Sequence, residues 1–130
     1  MSDYTIRAAG DVDDVLGDYP GEMLMFTEAV GAEQVAFTYR RMPPQTGGKG
    51  SYGHSHKTQE EVYFVICGTL QFKLGDEIVD VGPRSCVRVA PATVRSVWNE
   101  GPGDVELVIC SVRLADQAEE HDMHEGFWPQ

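Results

Sequence analysis

Two histidines and a glutamate stand close together near the middle of this 130-residue chain. His54 and His56 are two residues apart, and Glu61 follows after four intervening residues. On a strand, both imidazoles would point to the same side, because successive side chains alternate between faces. A short turn over residues 57–59 would bring Glu61 back beside them. Two imidazoles and one carboxylate on one side of an ion, with open positions opposite, form the facial triad of non-haem iron sites.

The same stretch resembles the first motif of the cupin superfamily. That motif is a glycine, five residues, His-x-His, three or four residues, a glutamate, six residues and a glycine. Every interval is satisfied by Gly48, His54, His56, Glu61 and Gly68. The resemblance implies that the two histidines and the glutamate hold a divalent ion, such as iron, zinc, manganese or nickel, inside a barrel.

A second cupin motif is present only in degenerate form. Asn99 fixes its register and matches the final asparagine of the motif. The motif's leading glycine is replaced by Arg84, and its proline and second glycine are replaced by Ala90 and Ala92. Most important, Arg95 stands where the motif supplies a third metal-binding histidine. Arginine stays protonated and has no lone pair to donate, so it cannot be a metal ligand.

This replacement leaves two alternatives open. In the first, a weakened three-ligand metal site survives, Arg95 faces the pocket to bind an anionic small molecule, and Tyr63 lines that pocket. The protein would then be a metal-dependent enzyme, a dioxygenase or an isomerase, acting on a polar organic acid. In the second, Arg95 pairs with Glu61 and fills the metal's place, which leaves a metal-free, non-catalytic cupin that binds small molecules.

Short strand-like segments surround the motifs and predict an all-β protein. Eight of them, at hairpin spacing and without a long central helix, indicate a sandwich or barrel. The cupin resemblance narrows this to a jelly roll, the double-stranded β-helix barrel, with short helical segments at the termini. The predicted strands are 23–30, 35–42, 62–66, 70–74, 78–81, 86–90, 94–98 and 105–114.

The length suits one domain with a real core. We expect an N-terminal segment with the first strand (1–34), a barrel core (35–114) and a C-terminal helical tail (115–130). A short helix over 11–16 and a flexible glycine-rich loop over 45–53 are also predicted. His121 and His124 lie one helical turn apart on the tail, where we expect a solvated acidic surface rather than a metal site. Phe127 and Trp128 are expected to anchor the tail.

Composition restricts the partners. The formal net charge of −11 disfavours nucleic acid and anionic membrane surfaces. No apolar run is long enough to span a membrane, and the N-terminus lacks a signal-peptide pattern, so a cytoplasmic location is expected.

Apolar residues of the predicted strands suggest how the barrel is covered. The run from Val62 to Ile66 is apolar on both faces, which predicts that a second subunit covers one of them in a homodimer. Cys67, Cys86 and Cys110 lie in apolar strand-like runs, so we expect three buried, reduced thiols.

Overall fold

The computed structural model describes residues 3–116 and 118–130 and contains two antiparallel sheets. One sheet has the strand order β1-β2-β10-β5-β8. The other has the order β11-β4-β9-β6-β7, and β3 pairs with β9 beside it. The strands are β1 (Glu22–Met25), β2 (Val35–Met42), β3 (Thr46–Gly47), β4 (Ser51–His56), β5 (Glu61–Cys67), β6 (Leu70–Leu74), β7 (Glu77–Val81), β8 (Ser85–Val89), β9 (Arg95–Asn99), β10 (Val105–Val112) and β11 (His121–Trp128).

The sheet arrangement confirms the predicted all-β jelly roll. Sequence neighbours such as β6 and β7 form a hairpin, whereas β2 pairs with the distant β10, as expected for a double-stranded β-helix. In the described part of the chain, the helical content is small and N-terminal: a 3₁₀ turn (Ala9–Asp11) and one helical turn, α1 (Phe26–Ala29). Among residues 3–116 and 118–130, no helix is long and apolar enough to cross a membrane.

The core lies between the two sheets and is built from inward positions of alternating strands. Val65 of β5 and Leu107 of β10 come from the five-stranded sheet, while Leu70 and Phe72 of β6 come from the other, and all four are fully buried. The Phe72 ring meets the Tyr63 ring edge-on at 5.3 Å between centroids. Burying each such side chain contributes about 1.5–3 kcal/mol. This packing fixes the distance between the sheets, and so the width of the site between them.

Strand β5 is apolar on both faces, as predicted. Its inward residues join the core, while Phe64 and Ile66 on the outward face remain 36% and 40% exposed. The same outward face carries Cys86, which pairs with Phe64, and Cys110, which pairs with Val62. The prediction that the thiols are buried is therefore wrong, because Cys86 is exposed and Cys110 is partly exposed. Both cysteines are free, and they follow the strand alternation outward.

Cys67 lies at the end of β5 and is also a partly exposed free thiol. Its Sγ donates to the carboxylate of Glu106 at 3.1 Å. The nearby carboxylate raises the pKa of this thiol, because it disfavours the thiolate.

The C-terminal segment differs most from the sequence prediction. The predicted helical tail is wrong: residues 121–128 form β11, an antiparallel edge strand on β4. These residues form a strand and not a helix because the edge of β4 presents backbone N–H and C=O groups, and pairing with β11 satisfies them. Lys57 N donates to Glu120 O at 2.8 Å at one end of this strand, and Gly50 N donates to Trp128 O at the other. Trp128 is buried, so its predicted anchoring role is confirmed.

Three smaller predictions also require correction. The loop predicted at 45–53 contains β3 and the start of β4. The first strand ends at Met25, where α1 follows. No helix forms over 11–16, because Asp14 bridges to Leu24 and Val15 N donates to Met23 O at 3.1 Å. These backbone bonds extend the edge of β1 and so compete with a helix.

Candidate metal centre

The three ligand candidates of the first motif converge between the two sheets. His54 and His56 project from β4, and Glu61 projects from the first residue of β5. One possible ligand atom from each lies within 4.8 Å of the others. His54 Nε2 is 3.5 Å from Glu61 Oε1, and His56 Nε2 is 3.4 Å from Glu61 Oε2. The strand alternation predicted from the sequence therefore brings two imidazoles and a carboxylate together.

The chemistry of this donor set suits a divalent ion. His56 is buried, yet neither of its ring nitrogens makes a hydrogen bond to the described residues. Buried polar atoms are nearly always paired, so these two nitrogens call for a further partner. Burial lowers the pKa of His56, which keeps the imidazole neutral and leaves a lone pair for a metal. An ion bound by His54, His56 and Glu61 would satisfy the Nε2 atom.

Glu61 is held in its charged form by its neighbours. The Tyr63 hydroxyl donates to Glu61 Oε1 at 2.7 Å, and Arg95 Nε lies 3.4 Å from the same oxygen. Burial alone would raise the pKa of Glu61. The hydrogen bonds from His54 and Tyr63, together with the coulombic attraction of His54 and His56, outweigh it and lower the pKa to about 2. The carboxylate is therefore ready to ligate at neutral pH, and its orientation is fixed by Tyr63.

Arg95 lies beside this centre on β9, directly across from His54 of β4. Its side chain is 0% exposed. One terminal nitrogen, Nη1, donates to the carbonyl oxygens of Pro91 at 3.2 Å and Thr93 at 2.8 Å, while Nε approaches Glu61. The contact between Arg95 and Glu61 that the second alternative describes is thus present, and both histidines lie near the same carboxylate.

Backbone geometry supports the register of the degenerate second motif. Arg84 replaces the leading glycine, yet it adopts φ +61°, the left-handed conformation that favours glycine. Asn99 is buried, and its amide nitrogen donates to the carbonyl oxygens of Met42 and Gly103, each at 2.8 Å. The turn geometry and the asparagine are therefore kept, although Arg95 replaces the histidine.

A buried carboxylate next to His56 could not be found from the motifs. Glu120 precedes β11 and is only 4% exposed. It accepts hydrogen bonds from the backbone N–H groups of Thr58 and Gln59 and from the Thr58 hydroxyl, at 2.7–2.9 Å. Its Oε2 also lies 3.4 Å from His56 Nδ1. Burial would raise the pKa of Glu120, but these hydrogen bonds lower it to about 2.

Glu120 would be the carboxylate of a carboxylate–histidine–metal arrangement if His56 bound an ion. A carboxylate on Nδ1 favours a proton there, which leaves Nε2 free to face Glu61 and an ion. The sequence held no signal for this role, because Glu120 is 62 residues away from the Thr58 backbone group that it binds.

Two cavities meet at the centre. The first, of about 540 Å³, opens on His54, His56 and Glu61. The second, of about 620 Å³, is bordered by His54, Glu61, Tyr63 and Arg95. Both share His54 and Glu61, so the candidate ligands stand between them. The wall of the first cavity includes the apolar side chains of Met23, Met25, Ile109 and Met123.

Arg40 brings a second guanidinium to the second cavity. Its Nε is buried and has no hydrogen-bond partner among the described residues. The sequence separates Phe37 and Tyr39 from Thr38 and Arg40 as two faces of β2 but does not tell which face is inward. The structure places Thr38 and Arg40 at the cavities, while Tyr39 donates to Glu106 elsewhere on the sheet.

The two C-terminal histidines take different sides of β11. His124 Nε2 shares a hydrogen bond of 2.9 Å with the hydroxyl of Ser55. His121 lines the first cavity instead, directly across from His56. On a helix the two histidines would share a face, but on strand β11 they point to opposite sides.

Comparisons with known proteins agree with this fold. The family described as Cupin domain matches residues 39–112, more than half of the chain. No curated protein matches the sequence.

Solved structures resemble the chain at low sequence identity. The polyketide cyclase RemF from Streptomyces resistomycificus superposes with a TM-score of 0.72 at 15% identity, over 94% of this chain and 84% of that one. A cupin protein from Bacteroides fragilis gives 0.68 at 16% identity, over 89% of each chain. A putative sugar phosphate isomerase from Acidithiobacillus ferrooxidans gives 0.61 at 18% identity. The match covers 72% of this chain but only 60% of that isomerase.

Proposed function

The chain belongs to the cupin family, and from that premise we propose that it is a small metal-dependent enzyme acting on an anionic organic molecule by oxygenation or isomerisation. His54, His56 and Glu61 would hold the divalent ion. The observation that carries the proposal is their convergence within 4.8 Å at the junction of two cavities, where neither ring nitrogen of the buried His56 makes a hydrogen bond to the described residues. A divalent ion in such a site polarises a bound oxygen as a Lewis acid.

The chain's own residues would position the substrate. In the second cavity, Arg40 Nε and Arg95 Nη2 are buried donors without a hydrogen-bond partner in the described chain. A carboxylate is the ligand that a guanidinium fork recognises best, so we assign the anionic group to this side. The methionine-rich first cavity would accept an apolar part of the same molecule, because thioether side chains adapt to irregular shapes.

Tyr63 would then act as a positioning residue and a proton holder beside the centre. Its hydroxyl donates to Glu61 Oε1, and its ring is fixed against Phe72. Burial and the nearby Glu61 charge raise its pKa, which keeps the phenol protonated as a donor. The side chain therefore orients the carboxylate without competing for the ion.

A metal-free binding protein is the second candidate, and one contact favours it. Arg95 Nε lies 3.4 Å from Glu61 and compensates its charge without an ion. In that case the two cavities would bind an anionic metabolite and perform no chemistry.

Metal titration separates the two candidates. The purified protein is stripped with a chelator and titrated by calorimetry with zinc(II) and, without oxygen, with iron(II). One ion bound per chain at micromolar affinity or tighter supports the enzyme, and oxygen uptake with carboxylic acid libraries follows. Failure of both ions to bind at millimolar concentration refutes the metal-dependent function and leaves the binding protein.

A further inference from the structure

Strand β11 places a third imidazole on the face that carries the metal ligands. His121 pairs with His56, and Met123 pairs with His54, in the antiparallel ladder between β11 and β4. Directly opposite residues of such a ladder point to the same face, with Cβ atoms about 4.5–5.5 Å apart. His121 therefore points to the same side of the sheet as His56 and lines the first cavity.

The three rings already stand near ligand spacing. Their centroids are 5.1 Å apart for His54 and His56, 5.9 Å for His56 and His121, and 6.3 Å for His54 and His121. Ring nitrogens about 2.1 Å from one zinc ion place neighbouring ring centroids roughly 4.5–6 Å apart. His121 lies outside the group of ligand atoms within 4.8 Å that His54, His56 and Glu61 form, so its exposed ring would have to change rotamer to join them.

The strand on the other side of β4 supplies no such ligand. Arg95 holds the β9 position across from His54 and cannot donate to a metal. A third imidazole would add a fourth protein ligand to the two imidazoles and one carboxylate of the first motif. The only described strand that flanks β4 on its other side is β11, and His121 is its inward residue next to His56.

We propose that His121 is the third nitrogen ligand of the metal centre, replacing the histidine whose motif position Arg95 occupies. The inference rests on the proposed metal-dependent function. It moves the third histidine from β9 to β11, so that the complete site is His54, His56, Glu61 and His121.

The experiment compares His121→Gln with a control on the same strand, His124→Gln. His124 bonds Ser55 and lies away from the other three rings. Zinc(II) affinity is measured by calorimetry, and the ligand number is followed in the visible absorption of the cobalt(II) protein. We expect His121→Gln to bind zinc ~100-fold more weakly than wild type, or weaker still, and to show an altered cobalt spectrum. Even the loss of a residue outside the ligand set costs ~10–100-fold in metal affinity. His124→Gln should stay within about threefold of wild type.

The outcomes distinguish this inference from the function on which it rests. If His121→Gln binds zinc as tightly as wild type with the same cobalt spectrum, while His54→Ala loses the ion, His121 is not a ligand and the metal site stands. Equal losses in His121→Gln and His124→Gln would mean that the strand, not the imidazole, matters, and would overturn the assignment. If wild type binds neither ion, both proposals fail. Thermal unfolding of each variant verifies that the barrel is intact.

Discussion

The two strands that flank β4 present different side chains to the candidate metal centre. On one side, β9 places Arg95 across from His54, fully buried and bonded to backbone carbonyls. On the other, β11 places His121 across from His56, in the wall of an open cavity. Both neighbours of β4 thus present a side chain to the candidate site. Under our proposal for His121, a ligand position lost on one neighbouring strand has an equivalent on the other.

The flanks also differ in how firmly they are held. β9 is paired with β4 on one side and β6 on the other, whereas β11 is paired with β4 alone within the described residues. Edge strands open more easily than central ones. Here the ends of β11 are fixed by the buried side chains of Glu120 and Trp128. β11 is therefore held by one neighbouring strand and by its two ends, while β9 holds Arg95 between two paired strands.

The largest expected effect on metal binding comes from the three candidate ligands of the first motif. His54→Ala, His56→Ala and Glu61→Ala should each abolish stoichiometric metal, because each removes one of the converging donors. Glu60→Ala is the matched control, since Glu60 pairs with Arg88 at the surface. Metal content after dialysis is measured by plasma mass spectrometry, and circular dichroism verifies the fold. Full metal in any of the three ligand variants would refute the site.

The next largest effect on metal binding is expected from Arg95 on β9. Arg95→His removes a fixed positive charge from the ion's surroundings and adds a nitrogen donor. We expect zinc to bind ~100-fold more tightly, or ~2.7 kcal/mol. Arg95→Ala should gain less, because it removes only the charge. Arg88→His serves as the control for loss of an arginine elsewhere on the barrel.

Calorimetric titration of these proteins decides the matter. A wild-type affinity in Arg95→His would mean that β9 does not present this position to the ion. The same change should weaken any bound carboxylic acid, because one of the two guanidiniums in the second cavity is lost.

A smaller effect is expected where β11 begins. Glu120→Gln should weaken zinc binding by ~10-fold, because a carboxylate near His56 Nδ1 orients the ring. It should also destabilise the barrel by ~2 kcal/mol, since charge-assisted hydrogen bonds from residues 58 and 59 weaken. Urea unfolding of the metal-free protein measures the second effect. The exposed neighbour, Glu119→Gln, is the control, and equal behaviour of the two variants would contradict the positioning role.

The smallest expected effect on metal binding comes from the outer face of the five-stranded sheet. Phe64 and Ile66 are apolar and partly exposed there, and we propose that a second copy covers them. Light scattering should give about twice 14.4 kDa for wild type. Phe64→Lys should give a monomer with unchanged zinc affinity. Ile78→Lys, which alters an exposed apolar residue of the other sheet, should remain a dimer. A monomeric wild type would refute the interface.

Local spacing alone determined the first half of the centre. His54, His56 and Glu61 belong to two consecutive strands, so alternation within each strand and one short turn bring them together. The register of the second motif was also fixed by sequence, and the φ of +61° at Arg84 agrees with it. Both inferences depend on residues that lie close together along the chain.

Only the tertiary structure decided which distant residues join the site. The helical pattern of residues 115–125 was overridden by the unpaired edge of β4, and that pairing turned His121 inward and brought Glu120 to His56. Likewise, the inward face of β2 was set by how the sheets pack, which placed Arg40 at the second cavity. A one-residue shift of register would turn each of these side chains to the opposite face. Sequence periodicity determines the two faces of a strand, but only its partners determine which face meets the core.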